Sequence, residues 1–121
     1  MANALEIVQK YQEATGKGDF GAARKLVHDD LAFHGPIDQF DKPEALFEAL
    51  KTLLPIVERT EVRKVFADGN DVCVLYDLVT KTSGAELIVE WFKVRDDKIA
   101  TIRVVFDARP FANLHAGRKS Q

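Results

Sequence analysis

Residues 71–105 read DVCVLYDLVT-KTSGAELIVE-WFKVRDDKIA-TIRVV. Apolar residues here alternate at a period of two and are interrupted only by Ser83-Gly84 and Asp96-Asp97, short turn signals. Long strands joined by short turns form an antiparallel meander. Extending the pattern backward through the Asp68-Gly69-Asn70 turn adds another strand. The spacing predicts four long strands, near 57–67, 71–82, 85–95 and 98–109.

Upstream of residue 57 the period changes. Asn3 stands three residues before Glu6, a capping-box signal, and Leu5, Val8, Tyr11 and Thr15 follow at helical spacing. Gly16 and Gly18 stop this helix. Asp19 caps a short second helix with Phe20, Ala23, Leu26 and Val27 on one side, broken by Asp29 and Asp30. Leu31 to His34 reads as a short strand ended by Gly35-Pro36. Asp41, Pro43 and Glu44 open a third helix carrying Leu46, Phe47, Leu50, Leu53 and Leu54, and Pro55 marks its end. Helices followed by a meander give an α+β fold, one domain over residues 1–111 with a polar tail at 112–121.

The strands are nearly as apolar on one parity as on the other. Val72, Val74, Tyr76 and Leu78 share one face; Cys73, Leu75 and Val79 share the other, with Asp77 among them. A sheet with two apolar faces is covered on both. Three short helices cover one, so a second copy of the chain is expected on the outer face, as a homodimer.

Composition sets limits on function. The chain has 121 residues, a formal charge of −2 and one cysteine. A mildly acidic chain is not expected to bind nucleic acid. One cysteine allows neither an intramolecular disulfide nor a thiolate-cluster metal site, and the histidines lack metal-ligand spacing, so no metal is expected; no P-loop or dinucleotide fingerprint is present and the single domain leaves no further element to carry a cofactor, so none is expected. No stretch approaches the ~20 apolar residues of a membrane span, and the first residues lack a signal-peptide pattern. The expected location is the cytoplasm.

The chemically informative residues are polar ones at apolar-face positions. Glu90 lies between Ile88 and Phe92, with cross-strand neighbours expected among Ile102, Val104 and Phe106. Asp77 sits among Cys73, Leu75 and Val79. Burial of a carboxyl disfavours its charged form, which suits acid-base work near neutral pH; a structural ion pair is the alternative. Tyr11 lies on the first helix's apolar stripe, as a core tyrosine or as a donor into a pocket. His34 ends a strand beside Gly35-Pro36 with Asp38 close behind, as a base or as a structural hydrogen-bonder. Arg103, Asp107 and Arg109 share one parity of the last strand and suggest ion pairing, with Asp29 and Asp30 within possible reach.

Three segments together resemble the nuclear transport factor 2-like superfamily. They are Tyr11-Gln-Glu-Ala-Thr-Gly-Lys-Gly-Asp19, Leu26-Val-His-Asp-Asp30 with Leu31-Ala-Phe-His-Gly-Pro36, and Glu90-Trp-Phe-Lys-Val-Arg-Asp-Asp-Lys-Ile99 with Ile102 to Phe106. The resemblance covers nearly the whole chain. It implies a cone-shaped, curved, mostly antiparallel sheet wrapped around the N-terminal helices, the cystatin-like α+β barrel, with a conical ligand pocket. Members are commonly dimers and include ketosteroid isomerases, SnoaL-like cyclases, limonene epoxide hydrolases, dehydratases and noncatalytic binding modules.

In ketosteroid isomerases an aspartate base works with an oxyanion hole made of a tyrosine and a protonated aspartate. Tyr11 falls at the tyrosine, Glu90 near the protonated aspartate, and Phe106 at an aromatic wall. Gly35 stands where the base is found, so a true ketosteroid isomerase is not expected; His34 or Asp38 are the residues near enough to stand in. The epoxide hydrolases use two aspartates and an arginine, and here Leu75 stands two residues before Asp77 where an arginine would be. The function this implies is a SnoaL-like small-molecule enzyme. It would use cofactor-free acid-base chemistry of isomerase, cyclase, dehydratase or hydrolase type on an apolar oxygenated substrate. Tyr11, His34, Asp77 and Glu90 are the catalytic candidates. Phe33, Asp38, Phe47, Leu75, Trp91 and Phe106 are the substrate-binding candidates. The alternative is a noncatalytic ligand-binding or dimerisation module in which Phe33, Phe47, Trp91 or Phe106 plugs the cone.

Overall fold

The computed structural model describes residues 3–111. The expected tail at 112–121, with His115, lies outside them. The chain runs α1 (Ala4–Gly16), α2 (Phe20–Arg24), β1 (Val27–His34), β2 (Gln39–Phe40), α3 (Pro43–Leu53), β3 (Val57–Asp68), β4 (Asp71–Thr80), β5 (Gly84–Arg95) and β6 (Lys98–Val105), with single 3₁₀ turns at Leu54–Ile56 and Arg109–Phe111. Asn3 caps α1 by accepting from the Glu6 amide at 2.9 Å, and Asp19 caps α2 through the Ala22 amide. Asp96 and Asp97 both take positive φ in the tight β5–β6 turn. That left-handed conformation suits aspartate better than most residues.

The six strands form one curved sheet in the order β2-β1-β6-β5-β4-β3. Pairing from β3 through β6 is antiparallel, while β1 joins β6 in parallel. The sheet stays open, with β2 and β3 at its edges. The β3 edge is long and carries two register shifts, between Val57 and Arg59 and between Val62 and Lys64.

The local reading needs four corrections. Asp29 and Asp30 do not break a helix: they lie within β1, which starts four residues earlier than expected because Val27 is buried and pairs with Ile99. Exposure of the two aspartates on the outer side lets Arg24 hold Asp29 at 2.7 Å and Arg95 hold Asp30 at 3.4 Å, in place of the arginines of the last strand. Lys42 occupies the N-cap of α3 without a side-chain cap bond, so Asp41 does not cap it. The last strand ends at Val105; Asp107 and Arg109 close on each other locally at 2.6 Å, and Arg109 holds the Asp107 carboxyl down to about 2.

The core fills the space between the inner sheet face and the helices. From α1 come Ala4, Ile7, Val8, Tyr11 and Ala14, an apolar stripe at helical spacing. Leu46 and Phe47 enter from α3, and Phe47 stacks on Phe20 with ring centroids 5.4 Å apart. The sheet contributes Leu31, Val72, Val74, Ile88, Phe92, Ile102 and Val104. Phe92 is fully buried and meets the Tyr11 ring edge-on at 5.9 Å.

The outer face is different. Phe66, Cys73 and Trp91 line up across three strands by register, as do Asp77 and Leu87 on two. Phe66, Leu87, Trp91 and Val105 are all exposed. No helix among the described residues is long and apolar enough to cross a membrane.

Phe92→Ala removes the ring at the centre of this packing and is expected to cost about 3–5 kcal/mol. Urea unfolding monitored by circular dichroism measures it; a loss below about 1 kcal/mol would show that α1 does not depend on this contact.

Candidate functional site

Strand parity decides which polar side chains face the helices. Glu90 pairs with Val74 on one side and Val104 on the other, so all three point inward. Tyr76 lies two residues along from Val74 and shares this face. Its hydroxyl donates to Glu90 Oε1 at 2.7 Å. α1 crosses above, bringing Tyr11 and Gln12 to the same place.

Burial pushes the Glu90 carboxyl up from its ordinary range, and hydrogen bonds from Tyr76 and Gln12 oppose that shift without cancelling it. The Tyr11 and Tyr76 hydroxyls are pushed well above their ordinary value, by burial first and then by Glu90. Both remain donors at any physiological pH. The site is therefore a carboxyl whose burial shifts its titration upward, hydrogen-bonded by Tyr76 and Gln12, with the buried Tyr11 hydroxyl nearby. A neutral carboxyl accepts on one oxygen and donates from the other. When protonated, Glu90 can accept from Tyr76 on Oε1 and still has one proton to donate.

Glu90 lies in the wall of two cavities. One, about 180 Å³, is largely apolar: Phe33, Phe40, Leu46, Leu50, Ile88, Val104, Phe106 and Phe111 line it, together with the loop Gly35 to Asp38. The other, about 360 Å³, is a more polar groove where the end of α1 faces the start of β3, lined by Gln12, Thr15, Glu58, Arg59, Thr60 and Tyr76 among others. Leu50, Leu53, Leu78 and Glu90 belong to both walls. Glu90 thus keeps some accessible surface although protein surrounds it.

The sequence candidates separate accordingly. Glu90 and Tyr11 come together, and Phe33, Asp38 and Phe106 line the apolar cavity. Four candidates stand on the opposite parity. Asp77 faces outward, pairs with Leu87 by register and accepts from Arg63 Nε at 2.7 Å; it is the ion-paired carboxylate of the alternative reading. Leu75 shares that outer face. Trp91 is 43% exposed and donates through Nε1 to Asp71 at 2.8 Å. His34 lies opposite Arg103 and Gln39 in register, one residue out of phase with inward Phe33. Phe47 is in the core and lines neither cavity.

Two site residues escaped the sequence reading. Tyr76 counted as one more apolar residue on its face, although its placement two residues from the partner of Glu90 was a usable signal. Gln12 stands four residues after buried Val8, a polar residue on the buried side of a helix. Among the described residues, no three His, Cys, Asp or Glu side chains converge closely enough to hold a metal ion.

A family described as the SnoaL-like domain matches residues 8–102. The chain belongs to that family. Solved structures carry the likeness over the whole SnoaL-like domain. A protein from Kribbella flavida DSM 17836 is 24% identical, covers all of both chains and superposes with a TM-score of 0.85. An NTF2-like protein of unknown function from Cytophaga hutchinsonii ATCC 33406 is 23% identical over 93% of this chain and 96% of its own, with a TM-score of 0.80. An LEH-like epoxide hydrolase of M. tuberculosis is 20% identical over 97% and 92%, with a TM-score of 0.73. At these identities the structures establish the NTF2-like fold and leave chemistry to the side chains. No curated protein sequence matches this chain.

Glu90 makes stability depend on pH in a defined direction. A carboxyl that titrates higher in the folded than in the unfolded chain stabilises fully below the ordinary carboxylate range, and that contribution is lost as pH rises through the raised value. Thermal unfolding of Glu90→Gln between about pH 5 and 8 is therefore expected to give a flatter profile than the wild type, with the variant gaining relative stability as pH rises. Parallel profiles would show that Glu90 titrates alike in both states.

Proposed function

We propose that this SnoaL-like domain is a small-molecule enzyme using general acid-base chemistry, without a cofactor, on an apolar oxygenated substrate. The observation that carries this is a buried carboxyl, hydrogen-bonded by Tyr76 and pushed upward by burial, in the wall of a largely apolar cavity that Asp38 also lines. In this reading Glu90 donates to a carbonyl, hydroxyl or epoxide oxygen as negative charge develops there. Tyr76 supports that donation by its bond to Oε1, and the buried Tyr11 hydroxyl lies close enough to feel the Glu90 charge. Asp38, in the cavity wall, takes the role of base in place of His34 and Asp77, which stand on the other face. Enolisation, aldol-type cyclisation, dehydration and epoxide hydration all need this pairing of a donor and a base across an apolar space.

The cavity supports a ligand because the aromatic residues that might plug it do not. Phe33 and Phe106 are in its wall, Phe47 is in the core and Trp91 is on the opposite face. Gly35, standing where ketosteroid isomerases carry their base, favours the second reading, a noncatalytic module that binds an apolar ligand. A panel of enolisable ketones, β-hydroxy ketones and epoxides, followed by mass spectrometry, separates the two. Turnover that falls by about 10²–10⁴ in Glu90→Gln supports the enzyme. Turnover untouched by Glu90→Gln and by Asp38→Asn rejects the assigned roles, and saturable binding with no product from any member favours the module.

A homodimer through the outer sheet face is part of the proposal. Phe66, Leu87, Trp91 and Val105 expose apolar area there, as a surface buried by a second copy would. Light scattering at micromolar concentration should give twice the chain mass, and Trp91→Lys should halve it; a monomeric wild type rejects the dimer. The proposed setting is the cytoplasm.

A further inference from the structure

The proposed function uses one side of Glu90. The other side faces the groove, and nothing in that reading employs it. We propose that the groove between the end of α1 and the start of β3 is the water and proton entrance to the Glu90 carboxyl, separate from the mouth through which a ligand enters the apolar cavity. The inference rests on the reading of Glu90 as an acid toward a ligand in that cavity.

The linings differ in the way two entrances with different cargo should. Phenyl rings and aliphatic side chains make up most of the apolar cavity's wall, and the loop from Gly35 to Asp38 is part of it. A ligand filling it excludes water from that side of Glu90. The groove is about 360 Å³, and a water takes about 30 Å³ of liquid volume, so several fit. Thr15, Thr60, Gln12 and Tyr76 offer hydroxyl and amide partners along its wall, the two to four polar neighbours that an ordered water needs.

Charge follows the same division. The titratable groups that face Glu90 from the packed elements are Tyr11 on α1 and Tyr76 on β4, both held protonated. Glu58 and Arg59 on β3 line the groove's outer part, and Asp38 lines the far cavity. Tyr76 spans the boundary: it lines the groove and donates to Glu90 Oε1. A carboxyl that has given its proton to a ligand is re-protonated by hydronium arriving through the groove, and the proton that Asp38 took from the ligand returns to bulk solvent when product leaves, which closes the balance. The acid is thus reset while the ligand or product still fills the cavity.

Gly16 provides a way to close the groove without touching the site. It lines the groove, a Cβ there meets nothing within 4 Å, and its backbone is outside the left-handed region. Gly16→Phe and, independently, Thr60→Phe fill the groove; Ala49→Phe fills the apolar cavity instead. The measurement is infrared stopped-flow mixing with heavy water, following the protonated-carboxyl C=O stretch assigned by its loss in Glu90→Gln. Either groove variant is expected to slow the deuterium shift of that band by about tenfold, whereas Ala49→Phe leaves its rate unchanged. Exchange slowed by Ala49→Phe, or as fast as wild type in both groove variants, overturns the separate entrance while leaving Glu90 an acid. Absence of the band at neutral pH is a different failure: it overturns the acid reading and this inference with it.

Discussion

One turn of helix, Val8 to Gln12, pressed against Phe92 is the contact on which the rest of the molecule depends. Val8 and Phe92 are both fully buried, and Tyr11 meets the Phe92 ring edge-on. The contact covers the inner face of the central strands, which otherwise present Val72, Val74 and Ile102 to water. It also fixes the height and rotation of α1 over the sheet. Tyr11 and Gln12 follow from that placement, because the residues that seat the helix are next to those that reach Glu90. The core and the site are thus one piece of packing, and burial of the carboxyl is a by-product of burying the apolar stripe beside it.

Architecture was legible because it is written in periodicity. Alternation of two through residues 71–105, punctuated by two-residue turns, leaves little choice but a meander, and the caps at Asn3 and Asp19 mark where helices start. What was illegible depends on partners distant in the chain. β1 begins at Val27 because β6 offers Ile99 as a parallel neighbour, and nothing between residues 27 and 30 announces that. Strand parity gave Glu90 its inward position through flanking Ile88 and Phe92. Asp77 has equally apolar neighbours and points the other way, because both faces of β4 are apolar and alternation alone does not say which one meets the helices.

That ambiguity has a physical origin. An outer face carrying Phe66, Leu87, Trp91 and Val105 reads like an inner one. On it, Asp77 is stabilised by Arg63 from the neighbouring strand; on the inner face, Glu90 is served by neutral donors. The two carboxyls differ in the charge of their partners more than in their surroundings. Burial beside neutral donors pushes the Glu90 carboxyl up, and its hydrogen-bond donors only partly offset that. Membership of the SnoaL-like family fixes the scaffold that holds Glu90, and these partners determine what the group can do there.

β3 offers a different lesson. All but its first residue are exposed and its outer edge lies unpaired, the circumstance in which strands of separate molecules join into a growing sheet. Two register shifts within Val57 to Lys64 bend that edge, and Glu58, Arg59, Glu61, Arg63 and Lys64 crowd it with charge of both signs. A bent, charged edge is a poor template for an incoming flat strand. The irregularity of β3, whose start also lines the groove beside α1, therefore protects the protein against fibre-like association.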